Sequence, residues 1–114
     1  MTDSQSEYLL IEESGKNEVV VRLLDLPNRP TTPDQITMTE LVDQMERVVI
    51  DLSKVRNAGT KWIRLFGRMT VRGKKAGKVV AILGAKDTVK GTADELGLLD
   101  KLVFVEKQSE VRKL

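Results

Sequence analysis

Short apolar runs alternate with helical patterns along most of this chain, and that alternation limits the fold more than any other feature. Residues 48–50 (VVI), 78–83 (KVVAIL) and 102–105 (LVFV) are brief, rich in β-branched residues and almost free of charge. Runs of this kind read as strands covered on both faces. The segments between them show helical spacing, and strands joined by helical crossovers run parallel. The chain is therefore expected to form an α/β domain around a mixed, largely parallel sheet.

The remaining elements follow from local signals. Residues 8–13 (YLLIEE) and 18–26 (EVVVRLLDL) are β-rich, and Ser14, Gly15, Lys16 and Asn17 between them are turn material, which predicts an N-terminal β-hairpin. All three prolines fall in the next stretch, PNRPTTP, which excludes regular structure until it ends. A first helix is expected to about residue 46, with Thr32 as N-cap, Pro33 at the first helical position and Gln35 completing a capping box. Its plausible inward positions are Ile36, Leu41 and Met45. The second helix should cover residues 60–76 and stop at Gly77, and the third residues 87–96, stopping at Gly97. A final helix begins near Ser109, giving about four helices in all. One domain over residues 7–114 with a disordered polar tail at 1–6 accounts for the whole sequence.

Residue types that are missing narrow the chemistry. Among 114 residues there is no cysteine and no histidine. Thiol nucleophiles, cysteine-type zinc sites and the commonest general base are thereby excluded, so the expectation is a protein without catalysis, metal or cofactor. The polar, acidic start does not resemble a signal peptide, and no run approaches the ~18 apolar residues of a membrane helix, so the cytoplasm is the expected location. Gly67 and Gly73-Lys74 mimic a phosphate loop, but the spacing is wrong and the segment lies within a helix. The neighbouring carboxylates Glu12-Glu13 and Asp94-Glu95 point apart and read as solvated surface.

Charge is unevenly divided. Residues 1–51 carry eleven acids and four bases, a net −7, whereas residues 52–114 carry six acids and fifteen bases, a net +9. No acidic residue occurs between Leu52 and Ala85. Within that span Lys61, Arg64, Arg68, Arg72 and Lys75 recur at intervals of 3, 4, 4 and 3, which places them on one stripe of the second helix. Such a stripe forgoes every i,i+4 ion pair within its helix, and it suits an acidic protein surface or another anion. Nucleic acid is a poorer match, because neither stacking aromatics nor a basic tail accompanies the stripe. Trp62, Leu65, Phe66 and Met69 form the opposite, apolar side. Trp62 reads as core, and its place near the helix start also makes it a candidate interface anchor.

The turn before this helix, Asn57-Ala58-Gly59-Thr60, is where the chain bends from strand to helix. Thr60 is expected to cap the helix and to expose a hydroxyl suited to phosphorylation, with the helix N-terminus, Lys61 and Arg64 favouring the added charge.

Taken together, VVIDLSKV (residues 48–55), Ala76-Gly77 before KVVAIL, and LGLLDKLVFV (residues 96–105) resemble the STAS domain family of the anti-sigma-factor-antagonist type. The resemblance spans nearly the whole chain. In ungapped register from Asp51, Gly59 stands where the family carries Asp and Thr60 where it carries a phosphorylated Ser, while Trp62 replaces a usual Gly. It implies a non-enzymatic bacterial switch in transcription regulation, whose partner is an anti-sigma factor or serine/threonine kinase. On that basis Asn57, Gly59, Lys61, Trp62, Arg64 and Arg68 form the partner surface, with Thr60 as the phosphorylation candidate. Related domains build large assemblies or bind anions at the same helix end. The alternatives are thus an anion-binding module that adds Arg72 and Lys75, or an unphosphorylated scaffold forming a homo-oligomer.

Overall fold

The residues between Tyr8 and Leu26 fold back on themselves as the β-rich pattern requires. Strand β1 (Leu9–Glu13) pairs antiparallel with β2 (Glu18–Leu23). The computed structural model describes residues 7–114, and the polar tail expected at residues 1–6 lies outside them. Helix α1 (Thr32–Gln44), β3 (Arg47–Asp51), α2 (Thr60–Lys75), β4 (Val79–Leu83), α3 (Asp87–Glu95) and a short β5 (Phe104–Val105) complete the regular elements. Two 3₁₀ turns, Leu99–Lys101 and Gln108–Lys113, flank β5. The last of these occupies the place of the expected final helix.

The strands lie in the order β1-β2-β3-β4-β5, with every pair after the first parallel. The expected mixed, largely parallel sheet is thus present. Each crossover steps one strand in the same direction, and right-handed connections then place every crossover helix on the same face. Register makes that face apolar. Val19, Val48 and Val80 form one row across the sheet, and Val21, Ile50 and Ile82 form a second. Both rows pack beneath Met38 and Val42 of α1, beneath Phe66 and Met69 of α2, and beneath Val89 and Ala93 of α3. The alternate row, Val20, Val49 and Ala81, faces the other way and meets Val105 and Val111. The runs are covered on both faces, as their composition implies, but one cover is three helices and the other a 3₁₀ turn.

The first helix differs in phase from its sequence reading. Thr31, not Thr32, is the N-cap, and the capping box is completed by Asp34 rather than Gln35. Thr31 Oγ1 accepts from the Asp34 amide at 3.1 Å, and the Asp34 carboxylate accepts from the Thr31 amide at 3.2 Å. Asp34, Met38 and Val42 therefore face inward, while Ile36 is 54% exposed. Leu41 and Met45 are partly buried at the edge of the core. Apolar residues nearly surround this helix, so periodicity alone gave no unique inward side. A bond from the Tyr8 hydroxyl to the Asp34 carboxylate ties the chosen side to the residue before β1. Helices α2 and α3 start at the expected residues and end at Gly77 and Gly97, both with positive φ.

Candidate functional site

The region of interest is the turn from β3 to α2, residues 52–59. It follows Asp51, a buried carboxylate at the end of β3 that accepts from the Ser53 amide at 2.9 Å and from Arg22 Nε at 3.2 Å. Val55 and Ala58 turn inward and anchor the loop in the core. Lys86 Nζ donates to the Ser53 carbonyl at 2.6 Å, and the Thr88 hydroxyl donates to the Arg56 carbonyl. The turn is thus braced on its α3 side, while Asn57 and Thr60 at its tip stay exposed.

Burial pushes the Asp51 carboxyl up, but hydrogen bonds from Ser53 and Arg22, with the Arg22 charge, outweigh it and hold its pKa below 3.8. The unfolded chain therefore takes up this proton first on acidification. The stabilisation is complete above the unfolded value and is lost as pH falls through the lower folded value. Urea midpoints measured between pH 3 and 6 are expected to fall at the acid end for the native chain and less steeply for Asp51→Asn. Parallel slopes for the two proteins would refute this role.

Thr60 is not the cap of α2. Gly59 is the N-cap, its carbonyl accepting from the Trp62 and Ile63 amides, and Thr60 is the first helical residue. The physical reason lies in a neighbouring loop. A Cβ on residue 59 would stand 2.5 Å from the Asn28 carbonyl oxygen, so only glycine lets the 27–31 loop rest on the helix start. Trp62 belongs to the same contact. It is fully buried, its indole N–H donates to the Pro27 carbonyl at 2.9 Å, and its ring meets Tyr8 edge-on at 5.9 Å. The candidate interface anchor is therefore corrected. Trp62 supports the surface from beneath and presents nothing to a partner.

The basic stripe is real, and all five of its side chains are exposed, but they do not share one environment. Arg72 donates from Nε and Nη2 to the two carboxylate oxygens of Asp43 on α1, at 2.7 and 2.9 Å. Hydrogen bonding to Arg72 and its charge hold the Asp43 carboxyl below its usual range. The carboxylate that α2 lacks in sequence is thus supplied by α1. Arg68 Nη2 donates to Gln35 Oε1 at 3.3 Å. Among the described residues, Lys61, Arg64 and Lys75 have no ion-pair or hydrogen-bond partner for their charged heads.

Two grooves run along the stripe. One, of about 590 Å³, lies between α2 and the start of α1, with Lys61, Arg64 and Arg68 on one wall and Arg29, Thr31 and Thr32 on the other. The second, of about 550 Å³, is lined by Gly67, Val71, Leu98, Arg72, Lys75 and Lys101 and shares Arg64 and Arg68 with the first. Residues 29–35 were read from the sequence only as loop and helix start, not as part of a site. The available signal was topological, because loops that follow adjacent parallel strands emerge side by side at their carboxyl ends. Among the described residues no cluster of acidic side chains has a metal-binding arrangement. No helix among them is long and apolar enough to cross a membrane.

With this geometry in place, comparison with known proteins is decisive for the family. The model of the STAS domain matches residues 10–111. The chain belongs to the STAS domain family. Similar solved structures are unphosphorylated SpoIIAA, an anti-sigma factor antagonist, at 11% identity and TM-score 0.75, covering 92% of this chain and 94% of that one. The phosphorylated form of the Bacillus cell fate determinant SpoIIAA matches at 10% identity and TM-score 0.71, with coverages of 92% and 97%. A Ser-to-Glu form of RsbS from Moorella thermoacetica matches at 18% identity and TM-score 0.67, with 92% of each chain covered. At these identities the likeness is one of fold. No match is found among curated proteins. Within this fold Gly59 and Trp62 form one feature: both accommodate the 27–31 loop.

Proposed function

We propose that this STAS domain is a non-enzymatic protein-interaction switch, with its contact surface at the 57–60 turn and the exposed side of α2 formed by Lys61, Arg64 and Arg68. The observation that carries the reading is the setting of Thr60. Its hydroxyl is exposed and without a partner among the described residues, at the first position of a helix whose approach is braced on two sides. A phosphoryl group there adds a charge of about −1.5 to −2 beside the helix N-terminus. Arg64, one turn further along the same side, is available to meet it. The core and the loop contacts need no rearrangement, so the charge at the surface itself is what changes. By analogy with the anti-sigma factor antagonist among its structural neighbours, the partner is an anti-sigma factor; the sequence resemblance adds a serine/threonine kinase as the other partner, with the cytoplasm as the proposed location.

The test is quantitative. Thr60→Glu is expected to weaken the partner complex at least tenfold, about 1.4 kcal/mol, in calorimetry. Thr60→Ala should keep native affinity and lose its response to kinase and ATP, with phosphate mapped to Thr60 in the native chain. Equal partner affinity for Thr60→Glu and the native chain would leave a scaffold or oligomer role instead.

A further inference from the structure

We propose that the groove between α2 and the start of α1 binds a compact oxyanion carrying at least two phosphate groups, of the pyrophosphate type. The inference goes beyond the partner-switch reading and does not depend on it. Four cations converge there, Arg29 from the 27–31 loop and Lys61, Arg64 and Arg68 from α2, and no carboxylate lines the groove. Like charges gathered in a concavity repel one another, and this protein neutralises such charge elsewhere, as Asp43 does for Arg72. The acid closest in sequence to this wall, Asp34, is buried and turned away, its carboxylate taken by the Tyr8 hydroxyl and the Thr31 amide. The positive charge is left for a ligand.

The donors fit phosphoryl oxygens. Three guanidinium groups offer paired N–H bonds and Lys61 a point charge. The Thr31 oxygen already accepts from the Asp34 amide, so its hydroxyl proton is free to point outward. Gln35 holds the head of Arg68 in position.

Size and lining narrow the ligand further. A volume of about 590 Å³ lies within the ~300–1,000 Å³ range of small-molecule sites. One phosphate, at a charge of about −1.5 to −2, balances only two of the four cations. A nucleotide is disfavoured because its base would find no stacking wall. Trp62 is fully buried, Tyr8 does not line the groove, and Pro30 is its one apolar residue. Thr60 is not part of the lining either, so the groove lies beside the helix start, with Lys61 its first residue from α2.

The groove is also preorganised. Its outer wall is carried by a loop fixed through the Trp62–Pro27 hydrogen bond and the close seating of Asn28 on Gly59. Gly59 and Trp62 thereby hold the loop that carries Arg29 in place. Because Lys61, Arg64 and Arg68 also lie on the partner surface, an occupied groove would oppose partner binding and give the domain a small-molecule input.

The experiment is an amide-resolved NMR titration of the native chain with inorganic pyrophosphate at 0.15 M salt, with phosphate and sulfate as comparison probes. Expected are saturable one-site shifts at Arg29, Thr31, Thr32, Lys61 and Arg64, and pyrophosphate binding at least tenfold tighter than phosphate. Arg29→Ala with Arg64→Ala should lower pyrophosphate affinity at least tenfold with an unchanged circular dichroism spectrum, and Arg72→Ala should leave it within twofold. The proposal is overturned by shifts that do not saturate, by an equal loss in Arg72→Ala, or by binding to anionic phospholipid vesicles without any response to pyrophosphate.

Discussion

Trp62→Ala is expected to destabilise the domain by about 3–5 kcal/mol, the range for truncating a large aromatic core residue. Small domains have only ~5–15 kcal/mol in total, so this one change brings the protein near its unfolding threshold. The magnitude follows from position. Trp62 has no exposed surface and packs against Tyr8 at 5.9 Å and Phe66 at 6.2 Å. It also holds the Pro27 carbonyl. Alanine would leave a cavity beneath the start of α2 and release the loop above it. Trp62→Phe separates the two effects, because it keeps a ring and removes the N–H, with an expected loss of about 1–3 kcal/mol. Urea denaturation followed by circular dichroism measures both. A cost below 1 kcal/mol for Trp62→Ala would show that the residue is not the support described above.

Gly59→Asp, which introduces the residue that the sequence resemblance implies at this position, is expected to destabilise the native fold by about 1–3 kcal/mol, the cost of an overpacked site. The backbone at residue 59, with φ −64° and ψ 163°, suits any residue, so the penalty is steric and not torsional. The obstacle is the Asn28 carbonyl oxygen, 2.5 Å from the Cβ position, and a backbone atom cannot rotate aside. An aspartate N-cap has a competing benefit, but over glycine it is worth only a few tenths of a kcal/mol. The clash therefore wins. The 27–31 loop should lift, and Trp62, the chain's single tryptophan, reports the event through red-shifted fluorescence. Gly59→Ala should give the same shift without the added charge. A stabilised protein with unshifted emission would mean that the loop does not rest on this glycine.

Much of the fold was legible because strong local signals agreed. The hairpin turn, the three apolar runs and the glycines at 77 and 97 each specify structure within a few residues of themselves. The phase of α1 was not legible, since Ile36, Met38, Leu41 and Val42 are all apolar and the inward side depends on Asp34 and its bond to Tyr8. At the site, the strand-to-helix bend and the basic stripe could be read from spacing. The role of Thr60 as cap could not, because a threonine beside a glycine at a helix start fits either register. Glycine held the cap only because a loop thirty residues earlier needed its space.

Residue types and their periods determined, without reference to any contact, that this chain would make a mixed sheet with amphipathic crossover helices. They also determined that α2 would expose cations on one side and apolar residues on the other. Those properties are local, since the 2- and 3.6-residue repeats act wherever the segment lies. The tertiary structure alone decided that the crossover helices share one face, that Asp43 neutralises Arg72, and that the 27–31 loop descends onto Gly59 and Trp62. Each of these depends on which strands become neighbours. A parallel sheet brings together segments that are distant in sequence, and the four-cation groove exists only where the 27–31 loop and the start of α1 meet α2.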